Sequence, residues 1–273
     1  MQEDIITSKN GKGIFNRKAW LDESKKLYLS AKLLRECGED NKELLRDKGG
    51  NIPYNKYCDY IDMVSSTAKT SRLLLGYSFE MLLKSAVLLM NYGARKETLD
   101  KIFREYGHNL DRMAADLGLM LNKDEMILLK LSAHDIVLQA RYPIRIEDDD
   151  KYIDELNKRN SQLANNEIFH DMIHLYDKIK SIVARFDRDV NNCADFNKFR
   201  CNDFILFMRS GGGLRARAIV NFSSSFIESN KRKYFLKNFI QENSGKIALL
   251  YTWQWESFDF FEDTGRKLIP LKE

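Results

Sequence analysis

Apolar positions recur every three to four residues along most of the chain, the spacing of one face of an α-helix. Over residues 17–37, Trp20, Leu27, Ala31 and Leu34 share a face, while Lys25, Lys26 and Lys32 fall elsewhere. That pattern predicts a first helix. Gly38 predicts its stop, because glycine enters the left-handed cap conformation readily. Residues 38–53 are charged and then turn-like, with Gly49, Gly50 and Pro53. A long second helix is predicted over 57–90. Its second half is apolar on most faces, which marks it as the central helix of a bundle. Glu80 and Lys84 stand four apart in that run and would meet on one side.

A third helix is expected over about 96–105 and a short one over 110–117, with Gly118 as its cap. Asn122 and Glu125 have the spacing of a capping box. They open a predicted helix to about Arg141, with Met126, Leu129, Ala133, Ile136, Val137 and Ala140 inward. Pro143 ends it, since the residue before a proline resists helical dihedrals. An acidic turn follows at Glu147 to Asp150. One last long helix is predicted over 154–186, with Ile168, Met172, Leu175, Ile179 and Ile182 on one stripe.

After Asp187 the pattern changes. Gly211, Gly212 and Gly213 interrupt the chain, and residues 218–226 are rich in β-branched and aromatic types. Residues 231–241 look helical again. Residues 247–255 and 257–261 read as strands, and Asp263-Thr264-Gly265 as a turn. The expected fold class is therefore mainly α. A loose tail over 1–14 precedes a helical bundle over 15–187, and a small basic α/β domain follows over 188–273.

Composition sharpens this picture in three ways. Only 3 prolines occur in 273 residues, which favours long unbroken helices. The net charge of +4 is uneven: residues 185–237 hold 11 Lys/Arg against 5 Asp/Glu, so the C-terminal third suits phosphates or an acidic partner. The four cysteines, Cys37, Cys58, Cys193 and Cys201, form no C-x-x-C pair. With a polar N-terminus they lead us to expect a reducing, cytoplasmic setting and no zinc knuckle. Glu80 and Lys84 interrupt the most apolar stretch, so no membrane span is expected.

Four stretches carry a resemblance to a known family. The first helix holds Trp20 followed by Ala31-Lys32-Leu33-Leu34. Next come Tyr77-Ser78-Phe79-Glu80-Met81-Leu82-Leu83-Lys84, then Gly107-His108-Asn109-Leu110. The last comprises Leu131-Ser132 and Ala140-Arg141-Tyr142-Pro143. In this order they resemble the HEPN family of prokaryotic helical bundles. That resemblance implies an antiparallel bundle, a homodimer, and a setting among defence, toxin–antitoxin or stress functions. Active members of that family are metal-independent ribonucleases that use an Arg followed, after four to six residues, by a His. No histidine here is preceded by an arginine at that spacing; Arg104 lies three residues before His108. The chain thus departs from the family's catalytic pattern.

The candidate residues follow. His108 with Arg104 or Arg141 would supply an acid–base group and a phosphate fork for a divergent ribonuclease. The structural alternative has His108 capping the helix after it. Arg145 flanks the same turn as Arg141. Arg215 and Arg217 after the glycine run, and Lys231, Arg232 and Lys233 before Tyr234 and Phe235, are candidates for contacting RNA or another nucleic acid. The competing reading is a solvated basic surface. His170 and His174 project from one helical face as a zinc pair would, but Asp171 stands where a zinc peptidase has Glu, and no third ligand follows closely. Neither a Gly-Lys-Ser/Thr loop nor a G-x-S-x-G elbow is present, and no cofactor is expected. The leading expectation is a non-catalytic module that binds nucleic acid or a partner protein. The alternatives are the divergent ribonuclease and a scaffold whose apolar grooves take other helices.

Overall fold

The structure is a computed structural model that describes residues 12–48, 51–141, 152–223, 232–243 and 253–271, with Gly245 and Tyr251. The described chain is mainly helical and ends in a five-stranded sheet.

A 3₁₀ turn at Gly13–Phe15 packs Phe15 into the bundle, and the Ile14 carbonyl accepts the Trp20 indole N–H at 3.0 Å. The chain is thus already ordered at Gly13 and Ile14, where the sequence predicts a loose tail, and Phe15 joins the bundle as expected; residues 1–11 lie outside the described residues. Helix α1 (Arg17–Lys48) then runs straight through Gly38, which was expected to end it. The reason is tertiary. A Cβ at Gly38 would sit 2.4 Å from the Thr67 hydroxyl oxygen, so this glycine lets two helices approach.

Helix α2 (Tyr54–Met90) is the central element. Its C-terminal half is buried almost continuously, as its all-round apolar pattern requires. It is the one described helix long and apolar enough to cross a membrane, yet 72% of that apolar window is buried inside the protein. Around it pack α3 (Lys96–Tyr106), α4 (Leu110–Asp116), α5 (Lys123–Arg141), α6 (Tyr152–Ala164) and α7 (Asn166–Arg188). The capping box at α5 forms both bonds: Glu125 N–H donates to Asn122 Oδ1 at 2.9 Å, and Asn122 N–H to Glu125 Oε2 at 2.8 Å. Leu129 and Ile136 point inward as expected, whereas Val137 is exposed. The predicted single helix over 154–186 is two. It breaks at Asn165, which takes an extended conformation and caps α7 by accepting the Ile168 N–H. Such a cap satisfies one of the helix's free donors and so favours a fresh start over a continuous helix.

Two buried ion pairs lock the bundle. Arg72 meets Asp135 at 2.6 Å, and Arg17 meets Asp187 at 2.5 Å.

The C-terminal part holds β1 (Asp195–Arg200), β2 (Phe204–Ser210), β3 (Arg217–Phe222), helix α8 (Arg232–Asn243), β4 (Asp259–Asp263) and β5 (Leu268–Pro270). The sheet order is β1-β2-β3-β4-β5, antiparallel except for the parallel β3–β4 pair, which α8 connects. A second core forms between one sheet face and α8, around Trp255, Leu236, Ile240 and Phe260. Three strands, β1, β2 and β5, were not foreseen. The strand expected over 247–255 is replaced, where described, by helical Tyr251 and Trp253 and a 3₁₀ turn at Trp255–Ser257.

The sheet is clamped to the turn between α2 and α3. Asp263 Oδ2 accepts the Arg95 N–H at 2.6 Å, and Oδ1 accepts the Thr98 hydroxyl at 2.6 Å. Asn221 accepts from Arg95 Nε and donates to the Gly93 carbonyl. Gly93 has φ +96°, and a Cβ there would strike the Phe207 ring at 2.5 Å. This clamp fixes the gap in which the candidate site lies.

Candidate functional site: the cleft between bundle and sheet

A cleft of about 820 Å³ opens where α3 and α4 face the sheet. Its charged lining comes from both halves of the molecule. Arg112, Glu105 and Asp116 come from the bundle; Arg215, Arg217, Asp259 and Lys233 come from the C-terminal part. Ile102, Phe261, Leu268 and Pro270 supply apolar surface.

The parallel register sets Arg217 beside Asp259. The Arg217 guanidinium donates to Asn91 Oδ1 at 2.7 Å and lies over the Phe261 ring at 4.6 Å. Burial lowers its pKa, partly offset by Asp259, Tyr106 and Asp116. It is therefore a fixed charge in the cleft wall. Arg215 is different. It is exposed, and its side chain has no hydrogen bond or ion pair among the described residues. The loop that carries it is held from beneath by Arg209, which donates to the Gly211 carbonyl at 2.7 Å and the Arg215 carbonyl at 3.2 Å. Arg209 is almost wholly buried, and burial, with Arg217 and Arg17 nearby, pulls its pKa down to about 10.

Across the gap, Arg112 lies over the Tyr106 ring at 5.4 Å and only 3.9 Å from Asp116. Asp116 also accepts the Tyr106 hydroxyl at 2.9 Å, and burial together with that bond raises the Tyr106 pKa. Lys233 reaches Glu256 at 3.2 Å and lies over the Phe260 ring. Glu105 is exposed and has no ion pair or hydrogen bond of its side chain among the described residues.

Three sequence candidates, Arg215, Arg217 and Lys233, thus meet in one place. Arg232 does not join them; it pairs with Glu262 and covers the Phe222 ring. Lys231, Arg145 and the side chain of Arg141 lie outside the described residues, as does the expected acidic turn at Glu147 to Asp150. Gly211, Gly212 and Gly213 all have positive φ, Gly212 N–H is spent on the Asn192 carbonyl, and Cβ atoms at Gly211 and Gly212 would meet backbone oxygens at 2.2 and 2.0 Å. Tight packing is the role of Gly211 and Gly212, whereas a Cβ at Gly213 would meet nothing nearer than 3.8 Å. No local signal marked Arg112, Glu105, Tyr106, Asp116 or Asp259.

His108 lies elsewhere. Its Nδ1 is 2.9 Å from Glu80 Oε2, while Glu80 Oε1 takes Lys84 at 2.5 Å. Glu80 is buried and His108 about one-third exposed, so one carboxylate ties the α3–α4 turn to α2. Arg104 is exposed and makes no hydrogen bond or ion pair with His108. Glu80 precedes the cleft residue Met90 by ten positions on α2, or about 15 Å of helix at 1.5 Å per residue. His170 and His174 are exposed on α7, and His170 Nδ1 bonds the Asn166 carbonyl. No group of three metal-ligating side chains occurs among the described residues.

Comparison with protein-family models, curated proteins and solved structures returned no match for this chain.

Proposed function

We propose that the protein is a non-catalytic binding module for single-stranded, phosphate-bearing nucleic acid, with the junction cleft as its site. One observation carries the reading. Arg112 from the bundle and Arg215, Arg217 and Lys233 from the C-terminal part converge on a single cleft that also presents aromatic and apolar surface. Guanidinium forks suit phosphate oxygens, and flat apolar surface suits bases. Arg215 needs no rearrangement to engage a ligand, because no described side chain occupies it. The HEPN-like helix motifs give this reading its setting, a prokaryotic defence or stress function in a homodimer.

The test is binding of labelled single-stranded RNA across a salt series. Affinity should fall with salt at a log–log slope of about 0.7 per phosphate engaged. An Arg112→Ala, Arg215→Ala double variant should lose most of it. Salt-insensitive binding, or none, overturns the reading.

One observation favours a second reading, the divergent ribonuclease. Glu80 holds His108 Nδ1, which leaves Nε2 without a hydrogen bond among the described residues. A histidine oriented by a carboxylate is suited to proton transfer. Cleavage of RNA that survives chelator and disappears in His108→Ala would establish it in place of the first.

A further inference from the structure

We infer that the junction cleft takes a single nucleoside phosphate, either free or as the terminal unit of a strand, and not the interior of a strand. This rests on the reading that the cleft holds a phosphate-bearing ligand.

Size comes first. A volume of about 820 Å³ lies within the range of clefts that hold one small molecule.

The charge pattern is the stronger argument. Glu105, Asp116 and Asp259 line the same cleft as the four cations. A run of successive phosphates would set negative charges against those carboxylates. A nucleoside phosphate has one anionic end, and its remaining polar groups include hydroxyl and amine donors. Such a ligand can pair its phosphate with Arg215 and Arg112 and offer donors to Glu105, which no described group satisfies. The apolar surface of Ile102, Phe261 and Pro270 accommodates a flat ring.

The cleft is also preformed. Arg217 is held by Asn91 and Phe261, and the clamp around Asp263 fixes the sheet against α3. A small ligand then binds without first ordering the walls.

The experiment uses the full chain and calorimetric titration. The probes are the 5′- and 3′-monophosphates of all four ribonucleosides, the unphosphorylated nucleosides, a linear RNA with phosphates at both ends, and a circular RNA of the same composition. At least one monophosphate should bind and displace the linear RNA, the matching nucleoside should bind at least about tenfold more weakly, given the worth of a hydrogen bond to a charged group, and the circle should not compete. Arg215→Ala should weaken monophosphate binding about tenfold with an unchanged melting temperature, since that side chain supports nothing in the described fold. Glu105→Gln should weaken monophosphate binding about tenfold, the worth of one such bond; tighter binding would mean that Glu105 acts only as an unwanted charge, and would overturn the inference. A circular RNA that binds as well as the linear one also overturns it but leaves the nucleic-acid reading standing. If neither RNA nor monophosphate binds, both fall.

Discussion

The Asp263 carboxylate, at the end of β4, accepts the Thr98 hydroxyl at 2.6 Å across 165 residues of sequence. Its other oxygen accepts the Arg95 N–H at the start of α3. One side chain therefore anchors the start of a bundle helix to the sheet and holds the two walls of the cleft together. Asp263→Ala should cost about 2 kcal/mol, the worth of hydrogen bonds to a charged group. It should also weaken ligand binding, although Asp263 does not line the cleft. Urea denaturation and the RNA titration check the two effects separately.

The Lys84–Glu80–His108 chain predicts an asymmetry. Removing His108 leaves Glu80 still paired with Lys84, so His108→Ala should cost about 1 kcal/mol, an ordinary net hydrogen bond. Removing Glu80 strands the Lys84 ammonium, which is only 13% exposed, so Glu80→Ala should cost about 3 kcal/mol. Equal losses in denaturant melts would mean that the ion pair contributes nothing beyond the histidine contact.

Gly118 and Gly212 share a left-handed backbone but not a neighbourhood. A Cβ at Gly118 meets nothing within 4 Å, whereas one at Gly212 falls 2.0 Å from the Phe186 carbonyl oxygen. Gly118→Ala should therefore cost only the backbone penalty, about 1 kcal/mol. Gly212→Ala adds overpacking and should cost about 3 kcal/mol or more. Thermal melts of the two variants rank them directly.

Tyr28 predicts an alkaline limb of the stability profile. Burial, then its bond to Asp177, raises its hydroxyl pKa from 10.0 to about 12. The folded state thus holds this proton more tightly than the unfolded chain. Its contribution is complete below pH 10 and is lost as pH rises through about 12. Tyr28→Phe should make the fall in melting temperature over that interval shallower. An unchanged slope would assign the effect to the other buried tyrosines.

Local chemistry by itself determined a good deal of this protein. The Asn122–Glu125 box forms both of its bonds because its partners are three residues apart, and no distant group is needed. Helix α2 and its buried end follow from an apolar pattern that leaves no face for water. The Glu80–Lys84 pair follows from helical spacing. Other features depended on what lies across a contact. Gly38 reads as a helix stop and is instead the place where α1 passes Thr67. Strand β2 is buried on both faces along most of its length, so it lacks the alternation that announces a half-exposed strand. The cleft is the clearest case. Arg215 was visible as a loose cation in a basic segment, but nothing near Arg112 or Glu105 in sequence says that they face it. Periodicity specifies which side of a helix is buried and is silent on what it is buried against. The clamp of Asp263 and Asn221 on the α2–α3 turn decides that, because only the folded chain brings β3 and β4 to Arg95 and Thr98.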